Sequence, residues 1–228
     1  MFNSGLARTA KEAANYHFIK RILVILISSL LVLSSIVYLI SALYTKYGSF
    51  TVSIANEEDT QRMLSLCDDD QFLYPTSKLT IKLAEDITNM SKEELPQNLD
   101  AQNGIHNGDN YIAYTFYLKN AGTSTVTYEY NMFITQVTKD VDEAVRIRLY
   151  HNGEWVDYAK VGADGEAEDG TVTFLKEDYV TQKWVENFAP EEIQRFTIVL
   201  WLEGNDPECT DAIIGGQLKI GMTFKIVN

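Results

Sequence analysis

"YIAYTFYLKNAGTSTVTYEYNMFI", residues 111–134, decides the class of fold. Ile112, Tyr114, Phe116 and Leu118 fall at every second position, and so do Val126, Tyr128, Tyr130, Met132 and Ile134. Side chains two apart share one face of an extended chain, so each run reads as a strand with one apolar side. "KNAGTS" at 119–124 reads as the turn that joins the two as neighbours.

The same period recurs along the chain. Val145, Ile147 and Leu149 show it, as do Phe196 through Leu202 and Leu218 through Ile226. Shorter stretches at 49–54, 79–84, 154–158 and 171–175 raise the expected count to about nine strands of ordinary length. Asn152-Gly153 tolerates positive φ at a two-residue turn and predicts a hairpin. Helical signals are few: Ser91 with Glu94 suggests a short capped turn before Pro96, and "VTQKWVENF" at 180–188 suggests another. Many short strands, each with one apolar face, imply an all-β domain in which two sheets pack as a sandwich.

A different signal precedes this domain. Ile22 to Tyr44 is a run of 23 residues without a charge, enough for a helix to cross a hydrocarbon core of about 30 Å. Arg8, Lys11, Lys20 and Arg21 against Glu12 give the first 21 residues a charge of +3, which places the N-terminus in the cytoplasm and the rest outside. The expected organisation is a basic cytoplasmic segment at 1–21, a transmembrane helix at 22–44 and an extracytoplasmic domain at 45–228. A cleaved signal peptide is the rival, but its apolar core is usually about 7–15 residues, and "SALYTKYGS" lacks an A-x-A-like site. The whole chain carries −13, so the part beyond Tyr44 carries −16, a charge that repels nucleic acid and anionic headgroups.

Catalytic signatures are missing. His106 and His151 sit in no metal-ligand spacing, and there is no nucleophile elbow, phosphate loop or kinase signature. No cofactor motif occurs, and the reading is not that of an enzyme. Three acidic stretches offer oxygen ligands for calcium. "DGEAEDGTVTFL" from Asp164 begins like an EF-hand loop but lacks its central glycine and final glutamate. Asp68–Asp70 is a second stretch. The third, between two strand-like runs near the C-terminus, holds the candidate metal ligands Glu203, Asp206 and Asp211. The simpler expectation for it is a solvated corner: Asp206-Pro207 turns the chain, Asp211–Ile214 makes one helical turn, Ile213 and Ile214 plug the sandwich, and Gly215-Gly216 gives a left-handed exit. Asparagine at Asp206 and Asp211 should then be nearly neutral.

Cys67 and Cys209 both fall on the external side, where a disulfide is permitted; two separate thiols are the alternative. Tyr111, Tyr117, Trp155, Tyr158 and Trp184 are candidates for an aromatic ligand-binding face, although tyrosines alternating with apolar residues more often serve the core.

"YGSFTVSI", "HNGDNYIAYTFYLKNAG", "VDEAVRIRLYHNGEW" and "VLWLEGNDPECTDAIIGGQLKIGMTF", behind a long apolar N-terminal segment, resemble the TasA and camelysin group of exported proteins of Gram-positive, clostridia-type bacteria. The resemblance implies a jelly-roll-like sandwich outside the cell, in a group whose better-known members build biofilm-matrix fibres. Precursors of that group usually end their signal in an alanine-rich site, from which "ALYTKYGSF" departs. Protease activity has been attached to the camelysin name, and no residue set here supports it.

The resulting expectation is a non-enzymatic, membrane-anchored protein of surface or matrix assembly, with itself or other surface proteins as partners; a glycan- or peptidoglycan-binding module is the alternative. Ser49, Phe50, Thr51, Val52, Ser53 and Ile54 form an uncharged strand expected at a sheet edge, where it either closes its own sandwich or adds to that of a neighbour. Deleting residues 45–54 should then leave a soluble, less stable domain.

Overall fold

The computed structural model describes residues 10–45, 48–55, 58–83 and 87–227, so Arg8 of the basic segment and Ala84 of a strand candidate lie outside the described residues. Two compact units divide the chain at Lys46/Tyr47.

The first unit is helix α1, Ala10–Thr45. Its apolar side chains from Ile22 to Ile40 are 41–73% exposed, all round the helix. The hydroxyls of Ser28, Ser29, Ser34 and Ser35 turn back onto backbone carbonyls of the preceding turn at 2.8–2.9 Å. These four serine hydroxyls of the apolar run are thus satisfied by its own backbone, as a hydrocarbon environment requires. It is long and apolar enough to cross a membrane.

The second unit is a sandwich. Its strands are β1 Ser49–Ile54, β2 Leu64–Cys67, β3 Lys78–Lys82, β4 Asn89–Met90, β5 Gly104–Ile105, β6 Tyr111–Asn120, β7 Val126–Thr138, β8 Val145–His151, β9 Glu154–Ala159, β10 Val172–Thr173, β11 Tyr179–Phe188, β12 Ile193–Glu203 and β13 Gln217–Val227. One sheet runs β11-β7-β13-β1-β3; the other runs β10-β9-β8-β12-β6-β2, with β4 and β5 attached to β12 and β6. Both sheets are mixed: β1 runs parallel to β13, and β10 parallel to β9. The alternating residues that defined the class meet between the sheets, with Phe50, Phe116, Tyr128, Phe196, Met222 and Phe224 at most 1% exposed. Their rings interlock, Phe116 stacking on Phe196 at 5.5 Å and Phe224 meeting both edge-on.

Three sequence expectations change here. "KNAGTS" is no hairpin, because β6 and β7 belong to different sheets. The chain crosses over there, pinned by fully buried Asn120, whose amide donates to the carbonyls of Ser124 and Phe188. Residues 180–188 form strand β11 rather than a helical turn, and irregularities at 179–181 and 185–188 break its period-two pattern. Ser49–Ile54 is an interior strand, paired with β13 on one side and β3 on the other. The Asn152-Gly153 hairpin forms as expected, with φ of 52° and 91°.

A second apolar cluster lies on the outer face of the larger sheet. Met90 of β4, with Leu95 and Leu99 from the segment after it, roofs over Ala113, Tyr150, Val199 and Trp201. Ser91 does not close a capping box; its hydroxyl bonds the Glu93 carboxylate beside a 3-10 turn at Lys92–Glu94.

Candidate functional site

Beside this roof, two acidic loops that are separate in sequence converge on one cation. Strand alternation turns Val145, Ile147 and Leu149 inward, so Arg146 and Arg148 point outward between them. Arg146 is nevertheless 4% exposed, because the loops after β9 and β12 close over it. Its Nη2 lies 2.9 Å from Glu168 of the first loop and 2.5 Å from Asp206 of the second. Glu208 joins them: oxygens of Glu168, Asp206 and Glu208 all lie within 4.8 Å of one another. The Ala163 N–H donates to the Glu208 carboxylate at 3.0 Å, tying loop to loop, and the Glu208 N–H donates to Asp206 at 2.7 Å within the second loop. A side-chain hydrogen bond with Asp206, followed by desolvation, pushes the Glu208 carboxyl above its ordinary range.

Neighbouring Arg148 follows the same logic. It makes a two-pronged pair with Asp157 at 2.7 and 2.9 Å and stacks 3.9 Å over the Trp155 ring. Burial works against its charge, but Asp157 and Tyr150 together outweigh that and raise its pKa.

The metal candidates separate under this geometry. Glu203 is buried and accepts from the Trp201 indole at 3.0 Å and the Lys92 N–H at 3.2 Å, so it anchors the roof. Asp211 is exposed at the start of a 3-10 turn, Asp211–Ile213. Asp206 is not a solvated turn residue, since its side chain is fully buried. It shares a cluster with two other carboxylates, where the one guanidinium of Arg146 pairs with both Asp206 and Glu168. The corner otherwise turns as expected: Gly215 takes φ of 72° and Ile213 is buried, whereas Ile214 is 66% exposed and plugs nothing.

The disulfide does not form; both cysteines are free. Cys67 pairs with Tyr117, which lies opposite Arg195 of β12, while the Cys209 thiol accepts from Asn89, which pairs with Leu202 at the other end of β12. Seven residues of strand, about 23 Å, separate those levels, and a disulfide needs Cα atoms within about 7 Å. Burial raises the Cys67 thiol pKa, the opposite of what activates a nucleophile.

The histidines are likewise occupied. His106 lies between the carbonyls of Leu99 and Gly104 at 2.8 and 2.9 Å. His151 stacks on Phe196 and contacts Gln194 at 2.8 Å, with burial lowering its pKa.

Of the aromatic candidates, Tyr117 and Tyr158 are buried and Tyr111 is half-buried, while Trp155 and Trp184 are 50% and 56% exposed on different sheets. An open cleft of about 320 Å³, not foreseen from the sequence, is lined by Asp70, Tyr117, Asn152, Ile193 and Arg195. Arg195 is held there by Asp100 at 2.8 Å.

No family model matches this chain, and no match is found among curated proteins. Among solved structures, a β-glucosidase from Kluyveromyces marxianus in complex with glucose aligns with a TM-score of 0.25 and 8% identity over 70% of this chain and 15% of that one. A GH31 α-xylosidase from Xanthomonas citri aligns at 0.27 and 10% identity, over 74% and 18%. The chain thus spans less than a fifth of these proteins, and likeness at this level carries no argument about activity.

Proposed function

We propose that the chain is a non-enzymatic, single-pass protein of the cell surface, with its N-terminus in the cytoplasm and its sandwich outside, serving surface or matrix assembly. The observation that carries this reading is α1: a continuous helix, apolar on all sides, long and apolar enough to cross a membrane. Such a surface belongs in lipid rather than in water. The basic residues before it set the direction. The resemblance to the TasA and camelysin group supplies the assembly role. Sedimentation of the full chain in detergent should show concentration-dependent self-association. A monomer at every concentration would remove the assembly role.

The second reading, a glycan-binding module, rests on the polar cleft at Asp70, Asn152 and Arg195 with Tyr117 in its wall. Glycan-array binding that is lost on Arg195→Ala, in a chain that stays monomeric, would favour it over assembly.

A further inference from the structure

The acidic cluster around Arg146 is not closed by the protein's own donors. Glu168, Asp206 and Glu208 bring three carboxylates to one guanidinium, which leaves two negative charges in excess when all are ionised. Two of their oxygens, Asp206 Oδ2 and Glu208 Oε2, are shielded from solvent and accept no hydrogen bond. The Asp206 side chain is fully buried, and although Arg146 Nη2 lies 2.5 Å from its Oδ2, no guanidinium N–H is aimed along that line. Arg146 Nη1 is buried without a hydrogen-bond partner as well. Buried polar atoms almost always find partners, so three orphans in one cluster mark a place where a further group belongs.

The two loops are built around that place. The backbone takes one oxygen of each carboxylate on the second loop: the Ala163 N–H donates to Glu208 Oε1 and the Glu208 N–H to Asp206 Oδ1. Both side chains are thus fixed by one oxygen and open at the other. Gly162, in the loop after β9, makes room for the acids of the first: a Cβ there would lie 2.6 Å from Glu168 Oε1 and 3.3 Å from Asp164 Oδ1.

We infer that Glu168, Asp206 and Glu208 bind one hard divalent cation, calcium, which joins the loop after β9 to the loop after β12. Their ligand oxygens lie within 4.8 Å of one another. That is the span of oxygens on opposite sides of one calcium ion, at about 2.3–2.6 Å each. Two positive charges balance the two excess negative ones, which a single proton shared between Asp206 and Glu208 does not. Glu168 and Glu208 are only half-buried, so water can complete the irregular oxygen shell that calcium accepts and magnesium does not. The stretch from Asp164 is no EF-hand loop, yet it supplies one ligand to a site completed by a loop distant in sequence.

The test titrates calcium chloride into the full chain in detergent by isothermal titration calorimetry. One ion should bind per chain with a dissociation constant on the order of 10⁻⁴–10⁻³ M, and magnesium should bind at least about tenfold more weakly. Glu208→Gln and Glu168→Gln should each weaken calcium at least about tenfold by removing a charged ligand, while Asp211→Asn, exposed and outside the cluster, should leave it unchanged. In the unmutated chain, where no variant has to fold, calcium should slow amide hydrogen exchange in both loops, 161–169 and 203–209. No binding up to about 10 mM calcium overturns the inference, as does binding that Glu208→Gln leaves intact, or exchange that slows in fewer than both loops. Equal affinity for magnesium reduces the effect to screening of surface acids and overturns it too.

Discussion

The outer faces of the two sheets handle charge in opposite ways. On the larger sheet, loops and a roof cover the strands, and Arg146 and Arg148 are closed in with carboxylates and tryptophans. On the outer face of the smaller sheet Lys78, Thr80, Lys82 and Lys225 are exposed, while Ser49, Thr51, Ser53, Lys219 and Thr223 are half-buried, Thr51 and Thr80 touching at 3.4 Å. The same residue types therefore have different worth. Breaking a buried pair by removing one partner costs about 3–5 kcal/mol, while an exposed pair contributes about 0–1 kcal/mol.

The largest expected effect comes from removing β1 from the middle of the smaller sheet. Phe50, Val52 and Ile54 are at most 3% exposed, and burying each such side chain contributes about 1.5–3 kcal/mol. Deleting residues 49–54 also strips two strand ladders from the middle of a sheet, in a domain whose total stability is typically about 5–15 kcal/mol. The truncated chain should show no cooperative thermal transition by circular dichroism. A cooperative melt would mean that β1 is the dispensable edge strand its sequence suggested.

Next comes the covered face itself. Asp206→Asn should cost about 3 kcal/mol or more in chemical denaturation, because Arg146 is left buried with half its partners. Asp211→Asn, a few residues on and exposed, should cost under about 1 kcal/mol. Equal small effects would show that the corner is solvated and that the contrast between the faces is false.

The smallest effect is a pH slope. The Glu208 carboxyl is raised in the folded state by its hydrogen bond with Asp206, so it stabilises the fold most when protonated. That contribution is complete below the ordinary glutamate pKa of about 4.3 and is lost as pH rises through the raised value. Stability relative to Glu208→Gln should therefore fall as pH climbs from the ordinary carboxyl range toward neutrality. A difference that stays flat with pH would remove the shared proton.

The sandwich was legible because its core strands alternate cleanly; Tyr128, Tyr130, Met132 and Ile134 could face only one way. Strand β11 was not, because its irregular pairing with β7 puts Thr181 inward and leaves Trp184 and Glu186 exposed, which erases the period. The crossover at 119–124 looked like a hairpin because turn residues mark a reversal without saying which sheet receives the next strand. Both acidic loops drew attention as loops, yet their meeting point did not. Arg146 occupies an outward position in "VRIRLYH", where an arginine ordinarily meets water, and only the loops arriving from residues 168 and 206 bury it. Ser49–Ile54 lacked the charges that guard an edge for a simple reason: it is not one.

Intact-mass measurement of the native protein from carbonate-washed membranes tests most directly whether α1 is a retained anchor. The predicted result is a membrane-bound chain that still contains residues 22–44. A soluble protein whose first residue lies near Leu43 would contradict it, turning α1 into a cleaved leader and freeing the sandwich from any bilayer.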